Sequence, residues 1–187
     1  AFGTVSQLGF LILLVGQADR GVALAGIALV GAHAMFKASL FLTVGVVDAA
    51  AGTRDLRELS GVGRARPTVA AVAVLAAASM AGLPPLLGFV AKEAVFTTLI
   101  EQIGVTPVWG WIALVGAVVG SVFTVAYSAR FVWGAFARKP DVPDTAVHRS
   151  SPAILIAPLL LAGFGHVAGL APPEVERYVA PYAEDYD

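Results

Sequence analysis

The sequence contains no cysteine among its 187 residues. This absence excludes disulfide bonds, iron–sulfur ligation and metal sites built on thiolates. Charged residues are also scarce, at 13% of the chain, and the formal net charge is −1. Without a basic face, the sequence gives no support for nucleic-acid binding. It also lacks a glycine-rich phosphate loop, a cluster of metal ligands and the spacing of a catalytic triad, so we expect no cofactor and no bound metal.

Apolar residues are what the chain has in abundance. They make up 58% of the sequence, and the mean hydropathy is +0.81. A soluble domain of this size does not tolerate such a composition on its surface, so we expect an integral membrane protein in a lipid bilayer. Within a bilayer every backbone polar group needs an internal partner. Long apolar runs without alternation therefore predict an all-α fold, a polytopic bundle of about six transmembrane helices.

The expected helices follow the apolar segments of the chain. A helix needs about 20 residues to cross a bilayer, and six segments approach that length. We place the segments at residues 4–15, 22–47, the two parts of 68–100, 107–136 and 152–170.

The run 68–100 is too long for a single crossing. As one helix it would measure about 50 Å, whereas the hydrocarbon core is about 30 Å thick. The sequence "AGLPPLLGF" interrupts it, with two prolines that lack a backbone donor and two glycines that tolerate irregular dihedrals. We therefore expect at least one helix to be broken near Gly82–Gly88, with two helices separated at Gly82–Pro85.

Two ionisable residues lie inside the second apolar segment, in "GAHAMFKASLF". His33 and Lys37 are four residues apart, so a helix places them on one face. A lysine at the centre of a membrane helix costs about 2.5 to 3.5 kcal/mol, and such residues usually face the bundle interior and mark ion or proton paths. We expect both residues to face other helices and to transfer protons. The alternatives are a lysine that reaches the membrane surface and a histidine that only bridges two helices.

A second candidate pair, Lys92 and Glu93, follows the expected break. Adjacent residues on a helix point about 100° apart, so each can have its own partner. Broken helices in transporters expose backbone groups to a hydrated cavity, where an ionisable group is both tolerated and used. We expect Lys92 to exchange protons and Glu93 to modulate it. The alternative is that the two prolines form a surface turn, with both charges at the membrane surface.

Other charged residues favour a structural interpretation. Arg130 lies with tyrosine and tryptophan near the end of its segment, which is typical of an interfacial belt. His166 has no charge nearby, and we expect it to pack. Asp48 and Glu101 end apolar segments and should be solvated. The basic stretches 54–66 and 138–149 are separated by three expected crossings, so the positive-inside rule leaves the orientation open.

Four motifs carry a family resemblance. The stretches "TVSQLGF", "HAMFKASLFLTVG", "GTRDLRELSG" and "AGLPPLLGFVAKE" resemble the large A subunit of Mrp-type multisubunit sodium/proton antiporters. These antiporters belong with the antiporter-like subunits of respiratory complex I. The resemblance covers most of residues 1–140.

The resemblance implies a domain organisation. Proteins of this family contain pseudo-symmetric repeats of five helices, each with one broken helix and a key lysine or glutamate. Residues 1–140 then form the second antiporter-like repeat, truncated at its N-terminus, and residues 141–187 form a loop, one further transmembrane helix and an acidic interfacial tail. The family's lysines fall on Lys37 and Lys92 and its histidine on His33, whereas Leu29 stands where many complex I relatives carry a further histidine.

The resemblance also implies a function. We expect a multi-pass subunit of a cation/proton antiporter in the bacterial plasma membrane, a transporter and not an enzyme, which exchanges protons for sodium or another monovalent cation. Its partners would be the other subunits of a multisubunit antiporter complex. One alternative is a proton-pumping antiporter-like subunit of an NADH-quinone oxidoreductase, which would not itself be catalytic. Another is a passive membrane scaffold, against which the two buried lysines argue.

Overall fold

The computed structural model describes residues 2–15, 20–148 and 151–182. All regular elements in these ranges are helical, which confirms the expected all-α membrane bundle. The elements are α1 (Phe2–Val15), α2 (Arg20–Ala51), α3 (Val62–Ala65), α4 (Pro67–Ala81), α5 (Leu87–Val105), α6 (Pro107–Phe136), a 3₁₀ turn (Pro152–Leu155), α7 (Ile156–Gly169) and α8 (Pro172–Val179).

Proline and glycine set several of the helix boundaries. α4 and α6 each begin with a proline, which suits the first helical position because no backbone donor is needed there. α2 runs to Ala51, three residues beyond Asp48, where the sequence prediction ends it. The Asp48 carboxylate pairs with Arg54 at 3.1 Å, and its side chain is 36% exposed.

The expected break between α4 and α5 is confirmed. α4 ends at Ala81, α5 begins at Leu87, and Gly82 between them has a φ of 84° in the left-handed region. The backbone amide of Gly88 donates to the Ser79 hydroxyl at 3.2 Å. A side chain at Gly88 would collide with the Ser79 carbonyl, so only glycine lets the first turn of α5 pack against the last turn of α4.

α2 is the central helix of the bundle. It packs against α1, α4, α5 and α7, and the larger core cluster follows it from Val22 to Leu40. Small buried residues such as Ala25, Ala32 and Ala76 allow the close helix contacts that drive association within a membrane. The Ser39 hydroxyl donates to the Pro158 carbonyl at 3.0 Å and ties α7 to this centre.

The helices differ in their ability to cross a bilayer. Two are long and apolar enough by themselves, Arg20–Ala51 and Pro107–Phe136. A third crossing is possible if the pair Ala153–Gly169 and Pro172–Tyr182, bent by 100°, counts as one span. Two shorter apolar helices, Gly3–Leu14 and Pro67–Ala81, correspond to two more of the six segments that the sequence indicated.

The two basic stretches lie at the same end of the bundle. The Gly61 amide donates to the Ala137 carbonyl at 3.0 Å, and the Thr145 amide donates to the Ser60 carbonyl at 2.9 Å. We call the surface formed by residues 52–66 and 137–148 the basic end.

This placement corrects the expected number of crossings between the two basic stretches. α4 begins and α6 ends at the basic end, and α5 joins α6 at the opposite end through Thr106. α4 and α5 therefore form a single interrupted crossing, and α6 returns. The chain crosses twice between the basic stretches and not three times.

The C-terminal region turns sharply after α7. α8 carries Glu174 and Arg177, which lie 3.9 Å apart, and none of its residues is buried. The remainder of the expected acidic tail, residues 183–187, lies outside the described residues.

Candidate functional site

Lys92 lies in the second turn of α5 and is 7% exposed. Its ammonium donates to the carbonyl of Ala81 at 3.0 Å. Ala81 is the last residue of α4, and the last carbonyls of a helix have no partner within it and carry partial negative charge. The cation therefore occupies the C-terminal end of one half of the interrupted crossing.

Gly82 makes room for this contact. A Cβ atom at Gly82 would lie 2.8 Å from Cδ of Lys92 and 3.5 Å from its Nζ. The break thus supplies both the free carbonyl and the passage for the lysine side chain. The sequence indicated the break but not this contact with Lys92.

Lys37 lies in α2 and is half-buried. Its ammonium approaches Gly3 of α1 so closely that a Cβ atom there would be 2.7 Å from Nζ. The same Cβ atom would be 3.0 Å from the ring of Tyr127 in α6. Lys37 therefore faces α1 and α6, in agreement with the expectation that it faces other helices.

His33 is one turn before Lys37 and is also half-buried. Its ring meets the edge of Phe36 with 5.4 Å between centroids and 72° between planes. Its Nδ1 atom is buried and has no hydrogen-bond partner among the described residues. The histidine therefore keeps one ring nitrogen free for a water or a proton.

Glu93 does not join this arrangement. It is exposed on α5, and the described ranges contain no ion pair or hydrogen bond between it and Lys92. Arg130 is exposed. His166 is half-buried, and its Nδ1 atom has no partner within the described ranges.

Two polar residues near Lys37 were missed or misread in the sequence. Gln7 is fully buried on α1, although its motif "TVSQLGF" served only as a family signal. Tyr127 was interpreted as part of an interfacial belt, but its hydroxyl is buried inside the bundle. Neither side chain has a hydrogen-bond partner among the described residues. Tyr127 lies three residues before Arg130, on a neighbouring position of the same helix face, so no spacing signal in the sequence separates the two.

The site carries cationic and neutral groups and lacks clustered anionic ligands. Within residues 2–15, 20–148 and 151–182, no group of three or more histidine or acidic residues is arranged to hold a metal ion. The chemistry available to these side chains is the binding and release of protons by two amines and an imidazole.

Comparison with known proteins places the chain in a family. The family described as "NADH:quinone oxidoreductase/Mrp antiporter, TM" matches residues 1–124. The chain is 36% identical over 192 residues to the A subunit of the Na(+)/H(+) antiporter of Alkalihalophilus pseudofirmus, covering 92% of the chain and 24% of that protein. It is 37% identical over 159 residues to the A/B subunit of a probable K(+)/H(+) antiporter of Rhizobium meliloti, covering 85% of the chain and 16% of that protein.

A solved structure gives the same result for the fold. A chain in the structure of the Mrp complex from Dietzia sp. matches with a TM-score of 0.88 and 26% sequence identity. The match covers 100% of this chain and 42% of that one, and this chain spans about a quarter of the length of the antiporter protein from Alkalihalophilus pseudofirmus. The chain belongs to the family of transmembrane subunits shared by NADH:quinone oxidoreductases and Mrp antiporters.

Proposed function

We propose that this chain is part of the large subunit of a multisubunit cation/proton antiporter and that Lys37 and Lys92 exchange protons along its path. The burial of Lys92 against a free helix-end carbonyl carries the proposal. A lysine that did not exchange protons would cost free energy inside a membrane bundle without contributing to function. Relatives named as Na(+)/H(+) and K(+)/H(+) antiporter subunits support the same function.

The environment of Lys92 suits reversible proton binding. Burial in an apolar region disfavours the charged form of an amine. The carbonyl of Ala81 and the negative end of α4 favour the charged form. Because these two effects oppose each other, the free energies of the charged and neutral forms are brought closer together, as a group that must both take and give a proton requires.

His33 and Lys37 extend the proposed path. They lie one turn apart on the same face of α2, and the free Nδ1 of His33 can pass a proton to or from water. For Glu93 we propose a longer-range electrostatic influence on Lys92, since the two side chains do not pair.

The position of Glu93 also supports the proposal of partner subunits. It lies 12 residues from Val105, the end of α5, so it is about 18 Å from that end at 1.5 Å per residue. An exposed carboxylate at this depth would be costly in lipid. We infer that another polypeptide segment covers this face within the complex, which resides in the bacterial plasma membrane.

The test uses the intact antiporter complex in inside-out vesicles. Lys37→Ala and Lys92→Ala should each lower cation/proton exchange by about 100-fold or more, the usual loss when a positioned proton-transfer group is removed. Exchange is measured with sodium and with potassium, and each rate is divided by the amount of assembled complex. The exposed Arg64 lies outside the membrane, so Arg64→Ala is the matched control and should exchange at the normal rate.

Two outcomes would contradict the proposal. Full exchange in assembled Lys92→Ala would remove the lysine from the path and favour the scaffold alternative. Proton pumping that requires NADH and quinone, without cation exchange, would favour the alternative of an oxidoreductase component.

A further inference from the structure

A cluster of buried polar groups between α1, α2 and α6 has no role in the path proposed above. Gln7 is 0% exposed, yet neither its amide nitrogen nor its amide oxygen has a partner among the described residues. The hydroxyl of Tyr127 is also buried, and it too has no hydrogen-bond partner among the described residues. Native proteins rarely leave such groups unsatisfied, and a bound water or ion is a common explanation.

These groups surround one place. The side chains of Gln7 and Thr124 are near enough to the Tyr127 hydroxyl to influence it electrostatically, but neither meets hydrogen-bond geometry with it. The Thr124 hydroxyl already donates a hydrogen bond to the Gly120 carbonyl at 2.8 Å, so its oxygen can only accept a hydrogen bond from a neighbour. The ring of Tyr127 and the ammonium of Lys37 both approach Gly3. Gln7 and Tyr127 are therefore next to one of the two lysines of the path.

A groove at the outside of the bundle reaches Tyr127 but is not lined by Gln7 or Lys37. Tyr127 and Arg130 line a cavity of about 480 Å³ between α1 and α6, together with Ser6. A longer cleft of about 900 Å³ between α1, α5 and α6 shares Ser6 and Gly120 with it. A water molecule occupies about 30 Å³ in the liquid, so the cavity has room for several.

The charges near the site favour water over a metal cation. The Lys37 ammonium lies beside this place, and the Arg130 guanidinium lines the cavity. Among the residues that the structure describes, no carboxylate lines the cavity to offset them. A cation bound beside Gln7 would be repelled strongly in a low-dielectric interior, whereas water can donate to and accept from the amide and the hydroxyl.

We propose that Gln7 and Tyr127 bind water beside Lys37, and that this water joins the lysine to the cavity between α1 and α6. The proposal rests on the proposed function, in which Lys37 exchanges protons. The ammonium gives one proton to a bound water, that water passes one of its own protons outward, and a neutral amine remains. The reverse sequence restores the ammonium. Tyr127 and Gln7 are positioning residues, because they hold the water and do not themselves change charge.

The first experiment measures hydration without measuring transport. Because the chain has no cysteine, Gln7→Cys and Leu14→Cys each introduce its only thiol, on the same helix and at buried positions. The intact complex is treated with methyl methanethiosulfonate, which reacts with the thiolate, and the peptide is analysed by mass spectrometry. The Gln7→Cys thiol should react at least about tenfold faster, because a thiolate forms readily only where water reaches it.

Two labelling results would overturn the proposal. Equally slow reaction of both thiols would show that the site is dry. Protection of the Gln7→Cys thiol by sodium or potassium at high concentration would show a cation site instead of a water site.

The second experiment tests the consequence for exchange. Tyr127→Phe and Gln7→Leu keep most of the packing volume and remove the groups that hold water. Each should lower the maximal exchange rate by about tenfold or more, with little change in the cation KM, because proton delivery and not cation binding is impaired. The exposed Tyr178 on α8 provides the matched control, so Tyr178→Phe should behave like the unaltered complex.

The outcomes separate this inference from the proposed function. If Lys37→Ala is inactive while Tyr127→Phe and Gln7→Leu exchange at the normal rate, the inference is wrong and the proposed function stands. If Lys37→Ala exchanges normally, the proposed function is wrong, and labelling of the Gln7→Cys thiol still decides whether the site holds water.

Discussion

The ammonium of Lys92 reaches the carbonyl of Ala81 at 3.0 Å by passing directly over Gly82. Ala81 lies 14 residues after Pro67, and Lys37 lies 14 residues before Ala51. Both Pro67 and Ala51 are at the basic end, so each position is about 21 Å from that end at 1.5 Å per helical residue. The break in the α4–α5 crossing therefore places one lysine at the depth of the other.

Gly82→Ala should impair this arrangement without altering any charge. Gly82 has a φ of 84°, where a residue with a Cβ atom is disfavoured by roughly 1–2 kcal/mol. The new Cβ would also lie 2.8 Å from Cδ of Lys92 and would move the ammonium away from Ala81. We expect lower cation/proton exchange and a lower melting temperature of the assembled complex.

Gly45→Ala is the matched control for that substitution. Gly45 lies inside α2, and a Cβ there would meet nothing within 4 Å. Alanine is favoured over glycine in a helix by about 0.5–1 kcal/mol, so stability should be unchanged or slightly higher. Equal exchange and stability in the Gly82→Ala and Gly45→Ala complexes would mean that the contact between Gly82 and Lys92 has no consequence.

Lys139 links the two stretches that form the basic end. Its ammonium donates to the carbonyls of Leu56, Leu59 and Gly134, the latter two at 2.5 and 2.9 Å. Hydrogen bonds to a charged group contribute about 1.5–3 kcal/mol each, so Lys139→Ala should destabilise the loop at 52–61 by about 2–3 kcal/mol. In the intact complex, trypsin should cleave this loop faster.

Arg138→Ala tests whether removal of any positively charged side chain at this end destabilises the loop equally. Arg138 pairs with Asp144 at 3.2 Å, but both side chains are more than half exposed. Exposed ion pairs contribute about 0–1 kcal/mol, so cleavage within 52–61 should hardly change. Similar cleavage in both variants would show that Lys139 has no special role.

The helix boundaries could be predicted from the sequence because proline, glycine and run length determine them locally. The predicted segment 107–136 has the bounds of α6, and the break at Gly82–Pro85 followed from a length that no bilayer accommodates. Lys37 and Lys92 could be identified as candidates because a charge in an apolar run stands out.

The partners of these residues could not be predicted from the sequence. The contact between Lys92 and Ala81 depends on how α4 and α5 pack, and the approach of Lys37 to Tyr127 joins residues 90 positions apart. Gln7 was missed because a neutral amide, unlike a charged group, does not stand out in an apolar segment. The two basic stretches share one end because α4 and α5 together make one crossing and not two, which hydropathy alone does not show.

Asp55 gives a pH-dependent prediction outside the membrane. Hydrogen bonds from Arg57, with N–O distances of 2.7 to 3.2 Å, hold the pKa of Asp55 at about 2, below its ordinary value of 3.8. Because the pKa is lowered in the folded state, the contribution of this pair to loop stability is present above about pH 4 and is lost as the pH falls through 2.

Carbodiimide labelling of Asp55 at pH 4.5 tests this prediction, because the reagent attacks the protonated carboxyl group. Labelling in the unaltered complex should be slow, and Arg57→Ala should accelerate it by on the order of tenfold, after allowance for screening of an exposed pair. Arg54→Ala is the control, because Arg54 pairs with Asp48 and should leave Asp55 labelling unchanged. Equal labelling with and without Arg57 would contradict the lowered pKa.

The last prediction concerns orientation. Six of the lysine and arginine residues lie at the basic end, namely Arg54, Arg57, Arg64, Arg66, Arg138 and Lys139. At the opposite end, the last part of α5 carries Glu101, and residues 101–107, which lead into α6, include no lysine or arginine. Short loops rich in these residues remain in the cytoplasm, so the basic end should face inward.

Arg64→Cys and Thr106→Cys test the orientation in the cysteine-free chain, since both positions are exposed and lie at opposite ends. A membrane-impermeant maleimide should label Arg64→Cys in inside-out vesicles and not in intact cells. Thr106→Cys should show the reverse pattern, which also controls for the integrity of the membranes. Labelling of both thiols from the same side would mean that α6 does not cross the bilayer, and the interrupted α4–α5 crossing would then fail with it. Labelling of Arg64→Cys from outside alone would mean that the bundle has the opposite orientation. The carbonyl end of α4, where Lys92 binds, would then face the cytoplasmic half of the membrane.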